Sequence, residues 1–142
     1  VYTTSLIVPK MLKNKWGRII NVTSVSVKEP LNYLVLSNSI RSAVVAWAKS
    51  LSVDVGKDGV TVNSILTGYF DTERIKDLNK EKSKSLNISE DEVLEKMKSL
   101  VPINRLGKTE EYGYLVSFLS SDKAAYINGA SIPIDGGLLK SY

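Results

Sequence analysis

The chain has 142 residues, 43% hydrophobic and 24% charged, with a net charge of +4 and neither cysteine nor histidine. That length and composition fit one globular domain with a buried core and argue against disorder. Without Cys or His there can be no disulfide, no Cys- or His-ligated metal site and no Ser-His-Asp triad, and no metal site is expected. No run approaches the about 20 apolar residues of a membrane span, so no membrane partner is expected. A cysteine-free chain suits the reducing cytoplasm. The basic residues are scattered without interleaved aromatics. The one cluster (Lys76, Lys80, Lys82, Lys84) alternates with Asp77 and Glu81, as on a solvated face, so nucleic acid is not an expected partner.

The chain opens Val-Tyr-Thr-Thr-Ser-Leu-Ile-Val, inside an apolar pattern and without an initiator methionine, and is expected to be a piece of a longer one. Residues 1–14 place Leu6, Ile7, Met11 and Leu12 at helical spacing, although Pro9 argues against an unbroken helix. The β-branched run 18–24 predicts a strand buried on both faces, and 25–32 a loop stopped by Glu29-Pro30. Residues 33–55 carry the strongest helical pattern, with Leu36, Ile40, Val44, Trp47, Ala48, Leu51 and Val55 on one apolar stripe. A second strand is predicted over 60–66, and 73–88 is lysine-rich and reads as irregular. Ser89-Glu90-Asp91-Glu92 is a capping box opening a helix to about residue 100, and Thr109 with Glu110 and Glu111 opens another to about 121. A third strand spans 131–135 before Gly136-Gly137, its proline suggesting an edge or a strand start. Helices alternating with strands in this way predict an α/β fold with parallel strands and right-handed crossovers.

Ligands of open α/β sheets sit beyond the carboxyl ends of the strands. That places Ser24, the start of helix 33–55 and the 67–72 turn around one edge. A hydroxyl at a strand end also commonly caps the next turn, so either role is open to Ser24.

Four stretches, in this order, resemble the short-chain dehydrogenase/reductase family. Gly17-Arg18-Ile19-Ile20-Asn21-Val22-Thr23-Ser24 is similar to its catalytic-serine strand, and residues 43–55 to its central helix. Gly59-Val60-Thr61-Val62-Asn63 with Thr67-Gly68 and Thr72 is similar to its nicotinamide-side loop. Arg105 to Glu111, Ile127-Asn128-Gly129 and Asp135-Gly136-Gly137 are similar to its C-terminal section. The resemblance implies that residues 1–142 are the C-terminal half of a Rossmann-like doubly wound parallel sheet, the N-terminal nucleotide-binding half being absent. It implies NAD or NADP as cofactor, held by Val22, Arg41, Thr67, Gly68, Phe70 and Thr72, and a small-molecule carbonyl or alcohol substrate. It also implies assembly as a homodimer or homotetramer through helices 1–14 and 33–55; the sequence adds independent support, since Leu34, Val35, Val45 and Trp47 give helix 33–55 more apolar surface than one sheet face should need.

The catalytic positions depart from the family pattern. Aligning on Ser24 puts Ser37 where the family has its tyrosine and Arg41 where it has its lysine. The i, i+4 spacing keeps both on one helix face. An aliphatic hydroxyl is a far weaker acid than a phenol of pKa about 10, whereas arginine stays charged and can still bind ribose hydroxyls or phosphate. Thr67 likewise replaces a proline, which is expected to loosen the 67–72 loop. The catalytic set implied is therefore Ser24, Ser37 and Arg41, with Tyr33 and Tyr69 available either as compensating phenols or as packing. Two functions stay open: an oxidoreductase, and a non-catalytic relative that binds cofactor or supports assembly.

Overall fold

In the computed structural model the described residues are 1–32 and 34–141. Their elements in chain order are α1 (Tyr2–Asn14), β1 (Gly17–Val22), a 3-10 turn (Val25–Val27), α2 (Val35–Gly56), β2 (Val60–Thr67), α3 (Glu73–Leu86), α4 (Glu90–Ser99), α5 (Thr109–Ser120), a second 3-10 turn (Asp122–Ala124) and β3 (Ser131–Ile134). The strands form one parallel sheet in the order β1-β2-β3, with Gly17 opposite Val60 and Ser64 opposite Ser131.

β2 is the central strand, and its residues 60–66 are all buried, as a β-branched run covered on both faces should be. Alternation sends Val60 and Val62 to one face, where Ala48 and Val55 of α2 and Val8, Met11 and Leu12 of α1 cover them. Ile65 goes to the other face, against Leu119 of α5 and Ala124. Helices therefore lie on both sides of the sheet. Two asparagines tie the loop before β3 to this core. Asn63 donates to the Ile127 carbonyl at 2.8 Å and accepts from the Ala130 N–H at 3.0 Å. Asn128 accepts from the Val62 N–H and donates to the Ser52 carbonyl, each at 2.9 Å. These bonds satisfy the buried Asn63 amide and the buried Val62 N–H, which would otherwise be penalised.

Several expectations need correction. The stretch 73–88 is not irregular: Thr72 caps α3 by accepting the Ile75 N–H, and α3 packs on α4. Its inward positions are Ile75, Asn79 and Ser83, four residues apart, and two of the three are polar. Hydropathy periodicity could not reveal a stripe made of an amide and a hydroxyl. Three helices, not two, thus separate β2 from β3. α1 runs through Pro9. The first strand ends at Val22, although Thr23 still donates its N–H to the Ile65 carbonyl at 2.9 Å. The 25–32 stretch contains a 3-10 turn. The apolar stripe of α2 is buried only in its second half: Ala48 and Val55 are in the core, while Leu36 is 74% and Ile40 56% exposed. The sheet face available to α2 ends before its first two turns.

Candidate functional site

Two parallel strands joined by α2 oblige that helix to begin at the carboxyl edge of the sheet, next to where β1 stops. The first 3-10 turn packs on both α2 and β2, so the residues following β1 lie beside the opening of α2. Val22, the last residue of β1, is 64% exposed on the strand edge that, among the described residues, pairs with no other strand. Thr23 is fastened by both its N–H and its hydroxyl to the Ile65 carbonyl, each at 2.9 Å, which fixes where Ser24 emerges.

Ser24 is half-buried, and its Oγ accepts the Ser26 N–H at 3.1 Å. A hydroxyl carries one donor and two acceptor sites, so this cap leaves the Ser24 O–H proton free for a ligand oxygen. Both roles considered for Ser24 are therefore compatible.

Ser37 and Arg41 lie one turn apart on α2, and both are half-buried. The Arg41 Nε–H donates to Ser37 Oγ at 3.3 Å. Among the described residues no carboxylate forms an ion pair with Arg41, so the outer arms of its guanidinium are unneutralised. Next to Ser37, the Asn38 amide donates to the Leu31 carbonyl at 2.9 Å and binds the preceding loop to the helix. Tyr33, weighed as a compensating phenol, lies outside the described residues.

The 67–72 turn is anchored. The Thr67 hydroxyl is hydrogen-bonded to the Tyr112 hydroxyl at 3.2 Å, and the Gly68 N–H donates to the Ile134 carbonyl at 3.0 Å. Phe70 is buried edge-to-face on Tyr112, with ring centroids 5.3 Å apart, and its backbone bridges Gly107. Thr72 is engaged as the cap of α3. The loosening expected from threonine in place of proline is thus offset by contacts to α5 and to the segment before it.

A cavity of about 240 Å³ at this edge lies between the ends of β2 and β3, lined by Tyr69, Phe70, Ile103, Arg105, Ile134 and Asp135 among others. It takes in Phe70 and Tyr69 but not Ser24, Ser37 or Arg41. The physical reason is topological: the serine side of the edge borders the unpaired flank of β1, where one wall alone cannot enclose a volume. Arg105 forms a two-pronged pair with Glu111, at 2.8 and 2.6 Å, and Glu111 also accepts the Lys108 N–H at 2.7 Å. The guanidinium first, and then this amide, pull the Glu111 carboxyl from an ordinary 4.5 down to about 2. The sequence marks Glu111 as part of a helix start, but not its pairing with Arg105. The signal for that start was the spacing that lets a carboxylate at the third helical position reach back to the start of α5. Tyr112 carried no such signal. Among the described residues, no group of three or more acidic side chains could hold a metal ion, and no helix is long and apolar enough to cross a membrane.

A sequence model of the family described as enoyl-(acyl carrier protein) reductase matches residues 1–139. The chain is 33% identical over 131 residues to the NADPH-dependent reductase BacG of Bacillus subtilis (strain 168), covering 92% of this chain and 51% of that protein. Among solved structures it is similar to L-sorbose reductase from Gluconobacter frateurii, solved with NADPH and L-sorbose (30% identity, TM-score 0.91, 98% of this chain and 53% of that one). It is also similar to a short chain dehydrogenase family protein from Francisella tularensis subsp. tularensis SCHU S4 (29% identity, TM-score 0.85, 95% and 57%). The chain spans about half the length of the curated relatives it matches.

Proposed function

Because this chain belongs to the short-chain dehydrogenase/reductase family, we propose that it supplies the substrate and nicotinamide side of an oxidoreductase acting on a carbonyl compound or its alcohol. Residues 1–142 would be the C-terminal half of one Rossmann-like domain. Support comes from the half-length match to the relatives and from the unpaired flank of β1, where a doubly wound sheet continues.

The observation that carries the reading is the Arg41–Ser37 contact at the start of α2, beside the loop that presents Ser24. Ser24 donates its free O–H to the substrate oxygen. Ser37, held by Arg41, passes a proton to that oxygen directly or through a water. Arg41 turns its remaining donors to ribose hydroxyls. A nicotinamide dinucleotide bound there supplies the hydride. The donor set fits the nicotinamide end of such a cofactor: a guanidinium that, among the described residues, no carboxylate neutralises, and a serine hydroxyl whose proton its cap leaves free. Val22, Thr67, Gly68, Phe70 and Thr72 complete the proposed contacts, with Phe70 and Thr72 acting by shaping the turn. These residues face the nicotinamide end, which NAD and NADP share; the two differ only at the adenosine ribose. The names of BacG and L-sorbose reductase favour NADPH and reduction of a ketone.

A second reading, a cofactor-binding relative without turnover, is favoured by one specific fact: neither the phenol nor the lysine of the family stands at positions 37 and 41. Titration with NADPH and NADH, followed by rate measurements over a panel of ketones on the complete protein that contains this chain, separates the two. Binding with turnover supports the first reading, and binding alone the second.

Assembly as a homodimer or homotetramer is part of the proposal. Val35, Leu36 and Ile40 of α2 and Tyr2 and Leu6 of α1 are more than half exposed, an apolar surface that a second copy would cover. A cytoplasmic location is likewise proposed, on the cysteine-free composition.

A further inference from the structure

Glu29 stands between the first 3-10 turn and α2, half-buried. One of its oxygens, Oε1, accepts the backbone N–H groups of Lys140 and Ser141, both at 2.8 Å, from the far end of the chain. Those two amides hold its carboxyl below the usual carboxylate range. At the other end of the same segment, Asp135 accepts the Gly137 N–H with Oδ1 and the Leu139 N–H with Oδ2, each at 2.9 Å. Four backbone N–H groups within seven residues are thus directed at two carboxylates. Hydrogen bonds to an ionised acceptor are the stronger kind: the Asp135 pair shapes the segment where it leaves β3, and the Glu29 pair ties its far end to the loop after β1.

The path of this segment follows from the strand order. It leaves the carboxyl end of β3 and arrives at the loop after β1, so it passes the carboxyl end of β2, which lies between them. Two strand spacings amount to about 10 Å, and six residues reach about 20 Å when extended, so the strap has slack that its anchors must remove. Gly136 and Gly137, at φ 65° and 86°, turn the chain out of β3. Leu138 and Leu139 follow, both half-buried.

We propose that Glu29 is a positioning residue: by fastening the strap 135–141 across the carboxyl edge, it sets Leu138 and Leu139 as a wall on the substrate side of the site and limits the size of carbonyl compound that reaches Ser24. This rests on the reading of that edge as an oxidoreductase site.

The test compares wild type, Glu29→Gln and Glu29→Ala in the complete protein by amide hydrogen exchange and by rates over ketones of increasing chain length. In Glu29→Ala, exchange at Lys140 and Ser141 should rise about tenfold or more. Glu29→Gln, which keeps a neutral acceptor, should rise less. The ratio of kcat/KM for a long ketone to that for a short one should rise about tenfold in Glu29→Ala, the scale on which pocket walls discriminate methylene groups. If Glu29→Ala does not fold, Glu29→Gln decides both points by the same readouts. Unchanged exchange overturns the anchor. Faster exchange with an unchanged chain-length profile overturns the wall. A wild type that turns over no ketone overturns the proposed function and the wall together, while the exchange data still decide the anchor.

Discussion

The Arg41 Nε–H donates to Ser37 Oγ across one turn of α2 at 3.3 Å. The pair sets a hydroxyl beside a cation; in the function proposed above that hydroxyl is an alkanol where the family uses a phenol, so proton transfer would rest on position more than on acidity. Ser37→Ala should therefore lower kcat about tenfold or more, below the full 10²–10⁴ of a general acid, and leave dinucleotide affinity unchanged. Arg41→Ala should weaken both. The double variant Ser37→Tyr with Arg41→Lys should raise kcat above wild type if acidity limits the rate. Steady-state rates with a parallel fluorescence titration of the dinucleotide separate these effects.

Part of the acid sensitivity should trace to Glu111, beside the other lowered carboxyls of Glu29, Asp58 and Glu92. Its carboxyl is lowered to about 2 when folded, first by Arg105 and then by the Lys108 N–H. A group whose pKa falls on folding stabilises above its unfolded value of 4.5 and loses that contribution as pH drops through the folded one. Thermal melts of wild type and Glu111→Gln should differ most above pH about 5 and converge toward pH about 2. A difference independent of pH would contradict this.

Gly68→Ala should destabilise the fold locally. A Cβ there would stand 2.6 Å from the Asp135 Cα, backbone that cannot swing aside. Separating the ends of β2 and β3 should cost about 1–3 kcal/mol, as overpacking does, and should raise amide exchange at Gly68. A melt unchanged from wild type would mean the strand ends yield freely.

Leu36→Asp tests assembly. The side chain is 74% exposed within the chain, so the substitution should leave monomer stability nearly unchanged. In the complete protein, light scattering should nevertheless register a lower mass than wild type. Equal masses would remove α2 from any subunit contact.

What the sequence made legible was what hydropathy and turn chemistry encode. β2 was readable because seven buried residues in a row left little alternative, and α4 because Ser89 and Glu92 form a reciprocal cap. α3 was hidden because it buries Asn79 and Ser83, which carry no apolar period. The exposed half of α2 misled for the opposite reason: Leu36 and Ile40 continue the stripe beyond the sheet they were expected to cover. At the site, Ser24, Ser37 and Arg41 could be nominated from spacing and family resemblance. Tyr112 and Glu29 could not, because each acts on a partner distant in sequence: Tyr112 on Thr67, Glu29 on the amides of Lys140 and Ser141.

The most direct test is the oxidation of NADPH by the complete protein in the presence of a ketone panel, wild type against Ser24→Ala, with cofactor affinity measured alongside. The account predicts turnover of at least one ketone by wild type, a loss of about 100-fold or more in Ser24→Ala, and an unchanged dissociation constant for NADPH. Undiminished turnover in Ser24→Ala, or tight NADPH binding without turnover of any ketone by wild type, would contradict it.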